Sequence, residues 1–396
     1  MKKVLISFDS FKDCIGSFQL GTIVDQCLKE FYDENKIANI EGNEILRISD
    51  GGEGLLECLQ YSLNLDIKQF NADDGIIGPL GTVLESCRYA YHREENYAVI
   101  EMAEASGIQL VPVKKRTPFL TTTYGTGQLI LDAIKSGFKK IYIGAGGSAT
   151  NDAGLGALQA LKTINVKINH DEHYYKPILF GKDITNITSI DVNQEFVYSD
   201  IEFYFLSDVK NPMVGPNGAV YSFAGQKGAS ENDKIILEQG MVNVSKLYPI
   251  DISTIEGTGA AGGLASGFMS IFNQHCKIIN GMSFVCNSYH LEERLENGEF
   301  SLMITGEGCF DDTTLSGKVV SRMMSICQQH NIPLLIICGM KSISNPNYQT
   351  FNPETCKIFD LVSQFGSNES LNNTKHCINQ LFVKNQNLIN FLKKIL

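Results

Sequence analysis

The chain has 396 residues, of which 43% are hydrophobic and 19% are charged, so it can bury sizeable cores and is neither a disordered nor a collagen-like chain. At roughly 150 residues per domain, this length predicts two or three domains. The 33 lysines and arginines are outnumbered by 44 aspartates and glutamates, which gives a net charge of −11. We therefore expect no nucleic acid and no anionic membrane as main partner, although a local basic pocket can still bind a small anion.

The sequence indicates a cytoplasmic protein. No apolar run approaches the roughly 20 residues of a membrane span. The apolar stretch at residues 1–8 is too short for the core of a secretion signal, and Asp9 follows it directly. The eleven cysteines are scattered and form no Cys-x-x-Cys pair, so neither a disulfide framework nor a zinc site has the spacing it needs. Reduced and mostly buried thiols in a cytosol fit this pattern best.

Short β-rich runs alternate with longer stretches of helical periodicity. Strands are predicted, in chain order, at residues 4–8, 44–49, 140–143, 203–206, 302–305 and 334–338. Helices are predicted after the first strand and at residues 151–162, 264–272, 319–329 and 388–396. Residues 165–200 have weak periodicity and are predicted to form loops and short strands. This alternation predicts an α/β fold with largely parallel sheets.

Carboxylates and glycines follow most of the predicted strands. The strand ends carry Asp9, Asp50 with two glycines, a glycine-rich run after residue 143, Asp208 and Glu307. In open α/β sheets ligands bind beyond the carboxyl ends of the strands, where glycines present N–H groups and carboxylates hold metals or accept protons. Any one of these loops alone is more simply an ordinary turn. Five strand ends with the same bias predict a shared ligand-binding crevice.

Residues 144–149 formally match the dinucleotide fingerprint G-x-G-x-x-A, which leaves a nicotinamide-dependent oxidoreductase of a small hydroxy acid open. However, Asp152 would repel a pyrophosphate, and no clear strand ending in an acidic residue follows about twenty residues later. We favour a loop that binds a smaller anion through Gly146, Gly147 and Ser148. Two other glycine clusters are Gly225–Gly228, which encloses Lys227, and residues 257–263, for which helix packing and a phosphate role are both open.

Eight ordered segments make the chain resemble the bacterial-type glycerate kinases over nearly its full length. They are DSFK at 9–12, DGGEG at 50–54, TYGTG at 123–127, GGSATND at 146–152, DVKNP at 208–212, QKGA at 226–229, GAAGG at 259–263 and TGEG at 305–308. The resemblance implies ATP-dependent phosphorylation of D-glycerate, with the 2-hydroxyl favoured. It also implies two α/β domains, one inserted in the other, with the active-site cleft between them.

The N-terminal and C-terminal α/β runs both look like parts of one sheet. We therefore expect residues 1–76 and 290–396 to form one discontinuous Rossmann/flavodoxin-like domain, and residues 77–289 to form an inserted α/β domain. The chain departs from the family pattern after TGEG, where Cys309 replaces an arginine and Thr313 replaces a glutamine. It also has Asp13 where the family tends to have glycine. If that arginine clamps an anion, another cation must do so here.

Phosphoryl transfer needs Mg²⁺, cations near the phosphates and a group near the attacking hydroxyl. Asp208, Glu307 and Asp311 are the candidate Mg²⁺ ligands, and Asp50 is the candidate proton acceptor, although Asp50 and Asp208 could exchange these roles. Lys12 is the candidate partner of a phosphate or of the substrate carboxylate. The other candidate substrate- or phosphate-binding residues are Asp9, Ser10, Gly51, Gly52, Gly146, Gly147, Ser148, Asn151, Asp152, Asn211, Lys227, Gly259 and Gly262. A two-lobed binding protein without catalysis is the remaining alternative.

Overall fold

The computed structural model describes the chain except for residues 1, 10, 12, 13, 49–53, 169–175, 313, 315–318, 344–351 and 353 and the side chain of Ser62. The chain divides into two compact units. Unit 1 comprises Met1–Ser49 and Val285–Leu396, and unit 2 comprises Asp50–Phe284. Among the described residues, no helix combines the length and the apolar composition that crossing a bilayer requires.

The described elements alternate along the chain. The strands are β1 Lys2–Phe8, β2 Ile40–Ile45, β3 Asp66–Asn71, β4 Ser86–His92, β5 Tyr97–Glu101, β6 Lys140–Gly144, β7 Ile164–Ile168, β8 Ile187–Val192, β9 Glu202–Leu206, β10 Cys276–Ile279, β11 Phe300–Gly306, β12 Cys309–Asp311, β13 Leu334–Cys338, β14 Met340–Ser342 and β15 Cys356–Asp360. The helices are α1 Ser17–Asn35, α2 Leu55–Leu63, α3 Ala103–Ser106, α4 Tyr124–Lys135, α5 Leu155–Ala160, α6 Glu231–Leu247, α7 Ala260–Phe272, α8 Gly281–Ser288, α9 Leu291–Glu296, α10 Val319–Gln329, α11 Leu361–Phe365, α12 Ser367–Asn372, α13 Thr374–Lys384 and α14 Gln386–Ile395.

Unit 1 is built on a five-stranded parallel sheet in the order β15-β13-β11-β1-β2. Its central strands are continuous apolar runs, as expected where helices cover both faces of a parallel sheet. Helix α1 buries a stripe that recurs at helical spacing, formed by Leu20, Val24, Leu28 and Phe31. This stripe packs with α13 and α14 against one side of the sheet, and α10 packs against β11 and β13.

Unit 2 contains a six-stranded sheet in the order β10-β9-β6-β5-β4-β3. Strands β10, β9, β6 and β5 are parallel, whereas β4 and β3 are added as an antiparallel edge. The core is rich in aromatic rings, with Phe203 and Phe205 each 5.3 Å from the Phe268 ring of α7. Helices α4 and α5 approach closely at Gly127, where an added Cβ would lie 2.4 Å from the Ala157 carbonyl oxygen. The described part of the region 165–200 contains the antiparallel pair β7–β8 and short turns.

The predicted α/β class with largely parallel sheets is confirmed. Two elements differ from their predicted positions. The second strand was expected at 44–49, but β2 begins at Ile40 because its pairing with β1 starts there. The helix expected at 151–162 begins only at Leu155, because Ala153 and Gly154 have positive φ angles of 56° and 77°, which a right-handed helix excludes.

The unit boundaries also differ from the predicted domain boundaries, by five residues at the second junction, since unit 1 resumes at Val285, and by more at the first. Residues 1–76 were expected to belong together, but the described part of 50–76 lies in unit 2. The reason is that β3 pairs with β4 along its whole length and so extends the sheet of unit 2. In unit 1, β1 and β11 pair in parallel with Val4 opposite Leu302, so the N-terminal and C-terminal runs share one sheet.

Candidate functional site

The carboxyl ends of β6 and β9 in unit 2 border a cavity of about 380 Å³. The two strands are adjacent and parallel, with Gly144 opposite Leu206, so the loops that follow them are neighbours. The cavity is lined by Ile108, Arg116, Ala145, Gly146, Gly147, Ser148, Leu206, Ser207, Asp208, Val209, Phe223, Gln226, Lys227, Ala260 and Ala261. The cavity therefore brings together the loop after β6, the loop after β9 and Lys227, all of which the sequence analysis singled out.

The glycine loop after β6 presents unpaired backbone donors. Its two ends are fastened, since the Ile108 N–H donates to the Gly147 oxygen at 2.9 Å and the Ala149 N–H donates to the Ser106 oxygen at 2.9 Å. Gly147 has a φ of +69°, which favours glycine. Among the described residues, the N–H groups of Gly146, Gly147 and Ser148 donate no hydrogen bond. Successive free N–H groups at a cavity wall are suited to binding an anion.

Lys227 is a buried lysine in the wall of this cavity. Only 3% of the Lys227 surface is exposed, and its Nζ donates to Ser148 Oγ at 2.8 Å and to the Thr150 oxygen at 2.7 Å. Burial lowers the pKa of the Lys227 ammonium to about 7, while the Asp152 carboxylate partly opposes this shift. The turn that carries Lys227 packs tightly, because a Cβ on Gly228 would lie 2.1 Å from the Arg116 oxygen.

Arg116 is a second basic residue of the cavity, and the sequence analysis missed it. It follows a short 3-10 turn, Val113–Lys115, and its Nε donates to the Val111 oxygen at 3.3 Å. The residue lies in neither a strand end nor a glycine cluster, so neither criterion selects it. The run of basic residues at 114–116 was the available signal. Arg116 supplies a guanidinium in a chain where Cys309 replaces the arginine of the family pattern.

Asp208 is the one carboxylate among the described residues that line the cavity. One of its oxygens, Oδ1, accepts the N–H of Gly281 at 2.9 Å, at the start of α8. The part of the chain that the structure describes contains no cluster of three or more His, Cys, Asp or Glu side chains that could hold a metal ion. One carboxylate beside an anion-binding loop fits Mg²⁺ held jointly with phosphate oxygens and water, rather than a metal enclosed by protein ligands.

Asp152 organises the loop rather than lining the cavity. It is fully buried and accepts hydrogen bonds at 2.8–3.3 Å from the N–H and hydroxyl of Thr123 and from the N–H groups of Gly154 and Gly156. Burial raises the pKa of this carboxyl, and these donors oppose the increase. The carboxylate thus holds residues 150–156 against the start of α4. This arrangement also explains why α5 begins late, at Leu155. A dinucleotide fingerprint requires a helix directly after the glycine loop, and residues 144–149 are not followed by one.

A left-handed turn closes the cavity on another side. Ala261, Gly262 and Gly263 have φ angles of 55°, 67° and 88°, and α7 is regular only after them. A Cβ on Gly262 would lie 2.0 Å from the Thr150 oxygen, and one on Gly259 would lie 2.2 Å from the Pro212 oxygen. Gly259 and Gly262 were predicted to bind phosphate, but the contacts described for them are close packing against the backbone of other loops. The neighbours Ala260 and Ala261 line the cavity instead.

Two further predicted residues lie beside this site without lining it. Asn151 is fully buried, and neither its amide nitrogen nor its amide oxygen has a hydrogen-bond partner among the described residues. Because buried amides are normally hydrogen-bonded, Asn151 stays a candidate for ligand contact. The Nδ2 of Asn211 donates to the Asn217 oxygen at 2.7 Å and to Ser222 Oγ at 2.9 Å, so it holds its own loop together.

Glu101 is a buried residue that the sequence analysis also missed. It ends β5 and accepts the N–H groups of Gly54 at 2.9 Å and Leu56 at 3.2 Å, at the start of α2. It is 5% exposed. Its carboxylate satisfies N–H groups that the first turn of a helix leaves free, so it fixes where α2 begins. Nothing in the local sequence around Glu101 shows that its partners lie 45 residues or more away.

Unit 1 carries its own group of predicted site residues. Asp9 follows β1 and Glu307 follows β11, and these strands pair with Phe8 opposite Gly306, so both carboxylates lie at one edge of the sheet. Glu307 is 5% exposed. Asp311 exchanges hydrogen bonds with Thr314, since Asp311 Oδ1 accepts the Thr314 N–H at 3.2 Å. The predicted roles of Asp9, Glu307 and Asp311 stay predictions.

Comparison with known proteins identifies the family. The sequence profile of the Glycerate kinase family matches residues 4–390. The chain belongs to the glycerate kinase family. It is 31% identical to the glycerate 2-kinase of Escherichia coli K12 over 342 residues, which cover 85% of each chain, and 34% identical to the glycerate kinase of Bacillus cereus over 352 residues, which cover 87% of this chain and 86% of the relative.

A solved structure extends this result to the fold. The structure from Salmonella typhimurium LT2 that is described as glycerate kinase 2 superposes with a TM-score of 0.71 at 28% identity, covering 99% of this chain and 98% of the other. The resemblance seen in the sequence is confirmed, and the protein is an enzyme of the glycerate kinase type, a phosphate-transferring kinase. Of the predicted site residues, Ser10, Lys12, Asp50, Gly51 and Gly52 lie outside the described residues.

Proposed function

We propose that this glycerate kinase transfers the γ-phosphoryl group of ATP to the 2-hydroxyl of D-glycerate, producing 2-phosphoglycerate and ADP. The observation that carries the proposal is the cavity of unit 2, which is lined by Arg116, Lys227 and three residues whose N–H groups donate no hydrogen bond among the described residues. The choice of the 2-hydroxyl is supported by the similarity to the Escherichia coli relative named glycerate 2-kinase. The glycine loop and the two cations are the groups that a phosphate-bearing substrate needs.

The chemistry follows from charge. The transferring phosphoryl group spreads negative charge over its oxygens, and fixed donors aimed at that charge lower the barrier. Gly146, Gly147 and Ser148 donate from the backbone, while Arg116 and Lys227 provide positive charge. Asp208 is the residue of this cavity that would hold Mg²⁺, which neutralises phosphate charge when bound with ATP. Asp50 as acceptor of the hydroxyl proton and Lys12 as a further phosphate or carboxylate partner remain part of the proposal.

The proposal is tested by measuring ADP release with ATP, Mg²⁺ and D-glycerate, each omitted in turn. We expect turnover only when all three are present. Omission of D-glycerate distinguishes phosphoryl transfer to glycerate from hydrolysis of ATP. L-Glycerate serves as a matched control, because it has the same charge and functional groups with the opposite configuration. ADP release that is indifferent to D-glycerate contradicts the proposal.

We also propose that the enzyme works in the cytoplasm. None of the eleven cysteines forms a disulfide in the described structure, and eight of them are buried. Reduced thiols of this kind are typical of proteins kept in a reducing compartment. Expression with a fused fluorescent protein, followed by fractionation, tests the location, and recovery of the fusion outside the cytosol contradicts it.

A further inference from the structure

The amine of Lys227 has an unusual set of partners for a buried lysine. Both of its hydrogen bonds go to neutral acceptors, the Ser148 hydroxyl and the Thr150 carbonyl. Among the described residues, no carboxylate lies within ion-pair distance of its Nζ. The nearby Asp152 carboxylate already accepts four hydrogen bonds from protein donors. The described protein groups therefore give this amine no direct counter-charge.

The hydrogen bonds match the uncharged form of the side chain. A neutral amine has two N–H groups, which is the number that Ser148 and Thr150 accept, whereas an ammonium has a third N–H that needs another acceptor. Burial opposes the charged form and lowers the pKa of Lys227 to about 7. At pH 8 the amine of the protein without a ligand is thus mostly uncharged.

An anion in the cavity would change this balance. The charged groups that face Lys227 from the elements packed around it are, in the described part of the chain, Asp152, Arg116, Asp208 and the Glu231–Lys234 pair. The Lys234 amine lies 3.4 Å from where a Cβ of Gly225 would be, but it is paired with Glu231 at 2.7 Å. None of these groups supplies the missing acceptor. A substrate oxyanion beside Ser148 would supply both an acceptor and a negative charge.

We propose that an oxyanion entering this cavity is bound by Lys227 as an ammonium, and that the amine takes up one proton from solvent as the ligand binds. The proton leaves a hydronium ion or a buffer acid and forms the third N–H bond, which donates to the ligand oxygen, and the covalent bonds of the ligand do not change. The inference deepens the proposed function, because it names how that cavity recognises a substrate. The oxyanion is either a phosphoryl group of the nucleotide or the carboxylate of glycerate.

The proposal predicts how affinity depends on pH. An anion raises the pKa of Lys227 in the complex above its value of about 7 in the protein alone. Well below pH 7 the amine is already mostly charged before the ligand binds, so the number of protons taken up on binding is small. Between pH 7 and the pKa in the complex, the association constant falls by up to about tenfold per pH unit, because each binding event must also bind one proton.

The test is isothermal titration calorimetry at pH 8 in two buffers of different ionisation enthalpy. Mg²⁺–ATP and D-glycerate are titrated separately, so that the two possible sources of the oxyanion are distinguished. For one of the two ligands we expect an uptake approaching one proton per molecule bound, falling toward zero at pH 6. Protons bound by the ligand itself contribute equally to parent and variants.

Lys227→Arg is the decisive variant, because arginine stays charged at every pH in this range. We expect its proton uptake to vanish, whereas Lys246→Met, which alters an exposed lysine of α6, keeps the uptake of the parent. If Lys227→Arg takes up as many protons as the parent, the inference is wrong. If that variant no longer folds or binds, a parent affinity that is constant between pH 7 and 9 for both ligands overturns the inference.

These outcomes are separable from those of the proposed function. Production of 2-phosphoglycerate without proton uptake at Lys227 leaves the function standing and removes the inference. Uptake that depends on Lys227 without turnover of glycerate leaves the anion site standing and removes the function.

Discussion

Replacing Gly262 by alanine should destabilise unit 2 and damage the proposed anion site together. The residue has a φ of +67°, where a side chain with a Cβ costs about 1–2 kcal/mol. The added Cβ would also lie 2.0 Å from the Thr150 oxygen, and overpacking of this kind typically costs about 1–3 kcal/mol. We therefore expect Gly262→Ala to lower the free energy of unfolding by about 2–5 kcal/mol in urea titrations followed by circular dichroism.

Gly75→Ala is the matched control. Gly75 lies in the same unit with a φ of +69°, but no atom lies within 4 Å of its added Cβ. It should show only the conformational cost of about 1–2 kcal/mol and keep the parent kcat/KM. Gly262→Ala should lower kcat/KM as well, because moving the Thr150 carbonyl removes an acceptor of Lys227. Equal destabilisation by the two variants would refute the argument that contact with the Thr150 carbonyl requires glycine here.

The remaining predictions concern charge. Arg116→Ala should lower kcat/KM by about a hundredfold or more without changing the melting temperature. Lys114→Ala is the control and should have the activity of the parent. A fully active Arg116→Ala variant would show that this guanidinium does not belong to the site. Asp208→Asn and chelation of Mg²⁺ should each abolish turnover. Chelation should leave the melting temperature unchanged, and a lower melting temperature would indicate a structural metal instead. Arg294 donates two hydrogen bonds to Glu44, at 2.6 and 2.7 Å, and lowers the pKa of that carboxyl. This stabilisation is present above the unfolded pKa of glutamate, about 4.3, and is lost as the pH falls through the folded value. Arg294→Met should therefore be less stable than the parent at pH 7, with the difference shrinking at acid pH; a difference that is constant with pH would contradict the assignment.

The strand-end rule predicted the part of the cavity lining that local sequence encodes. Gly146, Gly147 and Ser148 directly follow an apolar strand, so their place at the carboxyl edge of the sheet can be predicted from adjacent residues alone. Lys227 could be singled out because glycines flank it. Its burial against Ser148 and Thr150 could not, because these partners are 77 and more residues away in sequence.

The elements that sequence reasoning missed depend on distant contacts. Arg116 reaches the cavity because the segment around it packs against the turn at Gly228, which no local pattern indicates. The late start of α5 depends on Asp152. Its carboxylate accepts the N–H groups of Gly154 and Gly156, which would have other partners if a helix ran through 151–154. The place of β3 in unit 2 depends on its pairing with β4, whereas composition showed no boundary between residues 49 and 76.

Phosphorus NMR of the product made from ATP and D-glycerate tests the central claim most directly. The account predicts that the phosphate ester resonance is coupled to a single proton, because phosphate on the 2-oxygen is attached to a CH group. Loss of that resonance in Arg116→Ala and its absence with L-glycerate would tie the product to the cavity of unit 2. A resonance coupled to two protons, as for phosphate on the 3-oxygen, or release of inorganic phosphate alone would contradict the account.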